Sequence, residues 1–319
     1  MTLHPDIGAF LGLADEAQAR QPAFHQMSAE QARAAFEQTT RQLSWPAPQD
    51  LDVQALHIDS RDGQALELRL YRPRGLGAGP HGLVLYLHGG GYVVGSLDSH
   101  DGVCRELCQR SGFPVLAVGY RLAPQHKFPT ALHDCSDVLH WLKAQAPALG
   151  IDLARVALVG DSVGASLATV LAIEAARQGA EAPLTPCLQL LCYPMTDASQ
   201  ASESMALFAE GYLLEAQTLE WFYQQYARTA EDRRDWRFSP LLAEDLSGSA
   251  PAVVAVAGFD PLLDEGLAYA RRLRESGVQV ELLEYRELTH DLLRMRSVVP
   301  AVEQVHEQLA GVIRRYLSA

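Results

Sequence analysis

Two short stretches of the chain bring together residue types that chemistry needs in close order. Gly160-Asp161-Ser162-Val163-Gly164 sets a serine in the pattern G-x-S-x-G, directly after the apolar run 156–160 and at the start of an alanine-rich helical pattern. A strand that turns sharply into a helix leaves little room beside the turn, so glycine on each side lets the backbone fold tightly and push Ser162 outward as a nucleophile. The helix that starts there offers partial positive charge to a developing oxyanion. The second stretch, His88-Gly89-Gly90-Gly91-Tyr92, follows the apolar run 83–87. Three glycines leave their amides bare of side chains, and bare amides can bind an anionic oxygen. A phosphate loop would continue with Lys and Ser or Thr, whereas Tyr92-Val93-Val94 follows.

A serine nucleophile needs a base, and the base needs an orienting carboxylate. After Ser162 the only histidines are His290 and His306. His306 falls inside the long final helical pattern and is expected at the surface, while His290 sits in a loop after an apolar run, where an imidazole can reach a site. For the carboxylate, Asp260 in Gly258-Phe259-Asp260-Pro261 lies just past the run 252–257, at the sheet end where sites assemble. Asp264 competes, but its place near a helix start suits an N-terminal cap. The order Ser162, Asp260, His290 is the order that G-x-S-x-G hydrolases use.

These residues need a scaffold. Short, near-continuous apolar runs at 65–71, 83–88, 115–120, 156–160, 187–193, 252–257 and 278–284 read as strands of a buried, mostly parallel sheet. Helical patterns at 102–110, 131–145, 162–177, 263–276 and 298–316 fall between or after them, so the alternation predicts a doubly wound α/β domain. Two stretches break the rhythm. Residues 1–48 contain a capping box at Ser28 and Gln31 that opens a helix through Leu43, and 196–238 is an insertion with Leu219, Phe222, Tyr223 and Tyr226 on one helical face. Helices from these two places are expected to join into a lid over the core, which comprises 49–195 and 239–319.

The composition narrows the function. With 26 basic against 39 acidic side chains in 319 residues, the net charge of −13 argues against nucleic-acid binding, which needs clustered Lys and Arg. Five cysteines without regular spacing make no disulfide framework, so a cytoplasmic protein is expected. Cys104 and Cys108 are too few for a zinc site, and no metal is expected. The chain opens without a basic stretch followed by an apolar run, and no membrane span is expected.

Taken in order, His88-Gly-Gly-Gly, Tyr120-Arg121-Leu122-Ala123-Pro124, Gly160-Asp161-Ser162-Val163-Gly164, Asp260-Pro261-Leu262 with Asp264-Glu265-Gly266, and His290 resemble the bacterial hormone-sensitive-lipase-like esterases, the HGGG carboxylesterases of the α/β-hydrolase fold. The resemblance covers nearly the whole chain from Val53 onward. It implies an eight-stranded, mostly parallel sheet with helices on both faces, and a helical cap made from N-terminal helices plus an insertion. It also implies hydrolysis of short- to medium-chain acyl esters without any cofactor. The oxyanion hole would draw on the glycine loop, Gly89, Gly90 and Gly91, and on the amide of Val163, with His88 and Asp161 in support. Three departures stand out. Val163 and Ala165 replace smaller residues, Gln125 replaces a Glu, and His290-Asp291-Leu292 replaces His-Gly-Phe, placing a carboxylate beside the base.

Tyr92, Phe208, Tyr212, Leu213, Leu214 and Leu292 are the candidates for contact with a small-molecule ester. The last strand would lie at the sheet edge and offers a route to a homodimer. The same triad would also serve an acyltransferase or an amidase, and a binding protein on this fold is the alternative outside catalysis.

Overall fold

The computed structural model describes residues 2–18, 22–77 and 79–318. Its strands are β1 (Leu51–Asp59), β2 (Ala65–Pro73), β3 (His81–Leu87), β4 (Val115–Gly119), β5 (Ile151–Asp161), β6 (Leu188–Cys192), β7 (Ala252–Phe259) and β8 (Val280–Thr289). Its helices are α1 (Pro5–Gln18), α2 (Ala29–Gln42), α3 (Asp101–Ser111), α4 (Thr130–Leu149), α5 (Val163–Gln178), α6 (Glu203–Leu207), α7 (Ala216–Tyr226), α8 (Leu263–Glu275) and α9 (Val302–Leu317). The strands form one sheet in the order β1-β2-β4-β3-β5-β6-β7-β8. β1–β2 and β2–β4 pair antiparallel, and every other pair is parallel. This is the eight-stranded sheet that the resemblance implies.

The near-continuous apolar runs are explained by burial on both faces. In β3, Leu83, Leu85 and Leu87 join a core with residues of α4, α5 and α8, while Val84 and Tyr86 point the other way into a core with α3 and α9. Side chains alternate along a strand, so a strand covered twice must be apolar at every position. α5 lies under the centre of the sheet and is buried on nearly all sides. α9 is amphipathic, and its buried stripe runs through Val302, Val305, Leu309 and Val312. It starts four residues later than the pattern suggests. Val298 precedes Pro300, in the stretch that leads into the helix.

Three elements escape the sequence pattern: β1, α1 and the five-residue α6. β1 is an outer strand with mostly exposed residues, so its hydrophobic signal is weak, and among the described residues α1 buries only Ile7 and Leu11. His306 corrects an expectation. It is fully buried, with Nε2 3.0 Å from the Leu293 carbonyl, because α9 packs that face onto the turn after β8. Asp264 does not cap α8. Its carboxylate accepts from the Ser204 amide at 2.7 Å and ties α8 to the start of α6.

α2 carries the expected capping box, with Ser28 and Gln31 bonded reciprocally. α7 buries Leu219, Phe222, Tyr223 and Tyr226. The two irregular segments meet where Phe24, just before α2, lies 6.5 Å from Phe222 of α7 and 6.5 Å from Phe36 of α2. Among the described residues no helix is long and apolar enough to cross a membrane.

Candidate active site

The sharp turn between β5 and α5 sets the site. Ser162 has φ +53° and ψ −122°, a conformation that L-residues rarely adopt, and its amide donates to the Cys192 carbonyl of β6 at 2.9 Å. A Cβ on Gly164 would run into the Leu87 carbonyl of β3, and a Cβ on Gly160 would run into the carbonyl group of Gly164. Both glycines are therefore required by close backbone approach. Val163 and Ala165 are accommodated in the buried first turn of α5.

Thr289 ends β8, and the next residue delivers the imidazole. His290 Nε2 is 3.0 Å from Ser162 Oγ, and Nδ1 is 2.8 Å from Asp260 Oδ2. The second oxygen of Asp260 accepts from the Leu262 amide at 2.8 Å. A carboxylate only accepts, so Nδ1 carries the proton and Nε2 is left to accept from the serine hydroxyl. Tyr193, beyond β6, packs edge-on against the imidazole with centroids 4.7 Å apart. Burial pushes the His290 pKa down, but the Asp260 carboxylate, with smaller help from Asp291 and Asp161, outweighs it and leaves the pKa raised.

Asp291 has φ +64° and turns to Arg294, whose Nη1 is 2.8 Å from its Oδ2. The extra carboxylate is thus spoken for by a guanidinium.

The glycine loop opens opposite the serine. Gly90 (φ +119°) and Gly91 (φ +61°) need conformations that favour glycine, and a Cβ on Gly91 would overlap the Phe222 ring. Among the described residues no group accepts from the amides of Gly90, Gly91 or Val163. Gly89 differs, because its amide donates to Asp161 Oδ1 at 3.0 Å. It is therefore removed from the expected set of oxyanion donors and serves instead to fix the loop. Asp161 also accepts from Tyr86 Oη at 2.6 Å. Burial alone would raise the Asp161 pKa, but His100 and Tyr86 hold it down at about 2. His88 stacks on Tyr120 at 4.3 Å and places Nδ1 2.7 Å from the Gly89 carbonyl. Burial drives the His88 pKa down to about 3, so its ring is neutral. His100, buried with Nε2 3.4 Å from Asp161 Oδ2, completes this cluster, and the sequence offered no motif that singled it out.

A cavity of about 570 Å³ opens onto Ser162, Gly90, Gly91, Val163 and His290. Leu213 and Leu214 line it as expected; Tyr92, Phe208, Tyr212 and Leu292 do not. Tyr92 is buried against Tyr226 with ring centroids 3.9 Å apart. Phe208 and Tyr212 pack on Phe259 at 5.6 Å and 5.5 Å. Leu292 is buried in the turn after His290. The cavity walls come instead from the segment before α2 (Phe24, Met27), from α2 and the residue after it (Phe36, Leu43), and from α7 (Leu219, Phe222). The α7 residues had a legible helical period. Those from the N-terminal segment had no signal beyond the helix that carries them.

A strained serine turn, a histidine-carboxylate pair and free glycine-loop amides at the ends of parallel strands are the arrangement of an α/β hydrolase. A family model described as alpha/beta hydrolase fold matches residues 84–294, two thirds of the chain. The chain belongs to that family, as one of its carboxylesterases. It is 49% identical over 316 residues to ethyl acetate hydrolase of Pseudomonas putida, covering 98% of each chain. It is 43% identical over 279 residues to carboxylic ester hydrolase LipN of Mycobacterium tuberculosis, covering 86% of this chain and 73% of that one. An ester hydrolase from the metagenome of Lake Arreo, solved with a derivative of bipyridine phosphonate, superposes with a TM-score of 0.94 at 34% identity over the whole of both chains.

NMR titration of the imidazoles checks the electrostatics. The His290 ring should titrate above the ordinary value of about 6.5. Asp260→Asn should move it down, because burial then acts without its opposing carboxylate. A His290 pKa unchanged by that substitution would contradict the hydrogen-bonded pair.

Proposed function

We propose that the chain hydrolyses short- to medium-chain acyl esters through an acyl-enzyme, with Ser162 as nucleophile, His290 as general base and acid, and Asp260 as the orienting carboxylate. The contact of 3.0 Å between Ser162 Oγ and His290 Nε2, continued to Asp260 at 2.8 Å and opening onto the cavity, carries this reading. Ser162 Oγ attacks the carbonyl carbon as its proton passes to His290 Nε2, and the negative oxygen is met by the amides of Gly90, Gly91 and Val163. His290 then gives the proton to the departing alkoxide, which leaves as the alcohol. Water repeats the sequence, attacking the acyl-enzyme and releasing the acid and the serine hydroxyl. Amide donors of this kind are each worth about 10²- to 10³-fold in rate.

We read residues 1–48 and 196–238 as a cap on the core formed by 49–195 and 239–319, because α2 and α7 supply most of the cavity wall remote from the serine. A cavity of about 570 Å³ holds a modest acyl group and alcohol. The similarity to an ethyl acetate hydrolase supports the short end of that range. All five cysteines are free thiols, which supports a cytoplasmic setting. β8 is the free edge of the sheet beyond β7, so a homodimer would pair β8 with its twin.

Hydrolysis of p-nitrophenyl esters from acetyl to palmitoyl tests the function. Rates should be highest at short chains and negligible for palmitoyl. Ser162→Ala should lose more than about 10³-fold in kcat. Equal rates in the two proteins would overturn the proposal. Light scattering tests the dimer, which a mass of one chain would remove.

A further inference from the structure

The carboxylate beside the base raises a question that the triad alone does not answer. Asp291 follows His290 directly and holds the left-handed conformation, φ +64°, so its geometry decides how the chain leaves the imidazole. That geometry is clamped from one residue, Arg294. The Arg294 amide donates to the Asp291 carbonyl at 3.0 Å, and its guanidinium Nη1 donates to the Asp291 carboxylate at 2.8 Å. The same guanidinium reaches out of this loop to α2. It lies over the Phe36 ring at 4.0 Å and donates through Nη2 to Thr40 Oγ1. Three residues on, Ser297 Oγ donates to the Leu43 carbonyl at the end of α2, at 2.7 Å. Arg294 is only 4% exposed, and among the described residues Asp291 is its single carboxylate partner.

Such an arrangement has a physical consequence. A buried guanidinium is held by its one carboxylate, a hydroxyl and an aromatic face, and each partner constrains the others. Two of the three belong to the helix that walls the cavity, and the third is bonded to the peptide of the base.

We propose that Arg294 is a positioning residue for the reaction, which fixes the loop of His290 to α2 so that the base is aligned only when that helix is docked over the cavity. The idea rests on the function proposed above. It also assigns Asp291 a role, as the handle by which Arg294 grips the loop. The groups facing His290 are Asp260 after β7, Asp161 at the end of β5, Tyr193 after β6 and Asp291 itself; Arg294 is the cation that neutralises the last. Removing the guanidinium leaves the Asp291 charge beside the imidazole without its partner, and the imidazole then holds its proton more tightly. Removing the Asp291 charge acts in the opposite direction.

The test compares Arg294→Met, Thr40→Val, Asp291→Asn and the double variant Arg294→Met with Thr40→Val. Activity is measured on p-nitrophenyl acetate per active site titrated with a fluorophosphonate, so that unfolded protein does not count. Thr40 is not among the residues lining the cavity, which makes its variant a probe of the tie and not of substrate contact. Arg294→Met should lower kcat about tenfold with a smaller change in KM, since a small misplacement of a catalytic group is costly. Its acid limb of kcat/KM should move to higher pH, while that of Asp291→Asn should move to lower pH. Thr40→Val should lower kcat severalfold, and the double variant should be no slower than Arg294→Met alone, because both break the same tie. Wild-type kcat and acid limb in Arg294→Met would overturn the proposal, as would additive losses in the double variant. If Arg294→Met does not fold, Thr40→Val and Asp291→Asn decide the matter by the same two readouts. Failure of the esterase reading shows separately, as wild-type protein no faster than Ser162→Ala. The His290 titration followed by NMR reports the opposite shifts in Arg294→Met and Asp291→Asn without any need for turnover.

Discussion

The turn at Ser162 constrains everything near it. Holding a residue at φ +53° and ψ −122° costs on the order of 1–3 kcal/mol, so the surrounding structure must over-determine it. It does so from three strands. β5 leads into the turn, β3 passes so close that Gly164 can carry no side chain against the Leu87 carbonyl, and β6 accepts the serine amide through Cys192. Because the serine is fixed to the sheet, its partners can be placed by other strand ends of the same sheet: Asp260 after β7 and His290 after β8. Parallel pairing of β5 through β8 brings these ends to one side, and the triad contact follows from the strand order.

Behind the glycine loop the structure meets a second demand, a buried negative charge. Asp161 is 2% exposed, and it is tolerated because Tyr86 and the Gly89 amide donate to it and His100 lies near. Its bond to Gly89 fixes the loop just ahead of the two amides that remain free. The neighbour of Ser162 on one side thus orders the glycine loop, while its neighbour on the other side, Val163, presents an amide of its own. His88 contributes through its ring position and not through charge, since burial keeps it neutral.

What the sequence revealed follows from how local each constraint is. Ser162, His290, Asp260, Gly90 and Gly91 were legible because a tight turn, a strand end or a bare amide demands a residue type at a fixed place. Gly89 looked equivalent to its neighbours, and only the bond to Asp161, 72 positions away, separates it from them. Tyr92 and Phe208 have the apolar character of pocket residues, yet aromatic partners distant in sequence, Tyr226 and Phe259, bury them away from the cavity. Phe24, Phe36 and Leu43 could not be recognised, because their place depends on how the N-terminal segment packs against α7. β1 was silent since an exposed outer strand needs little hydrophobic pattern, and His306 misled because a polar residue in an amphipathic helix reads as surface until its carbonyl partner is seen.

The central claim is that a strained serine, its histidine and the free amides of Gly90, Gly91 and Val163 converge on one reacting carbon. A crystal structure of the protein inactivated by an alkyl phosphonate tests it most directly, because the phosphonyl oxygen stands where the oxyanion would. The account predicts phosphorus bonded to Ser162 Oγ, with that oxygen within about 3.1 Å of those three amides and His290 Nε2 still facing the serine oxygen. An adduct on another residue, or an oxygen turned away from the glycine loop, would contradict it.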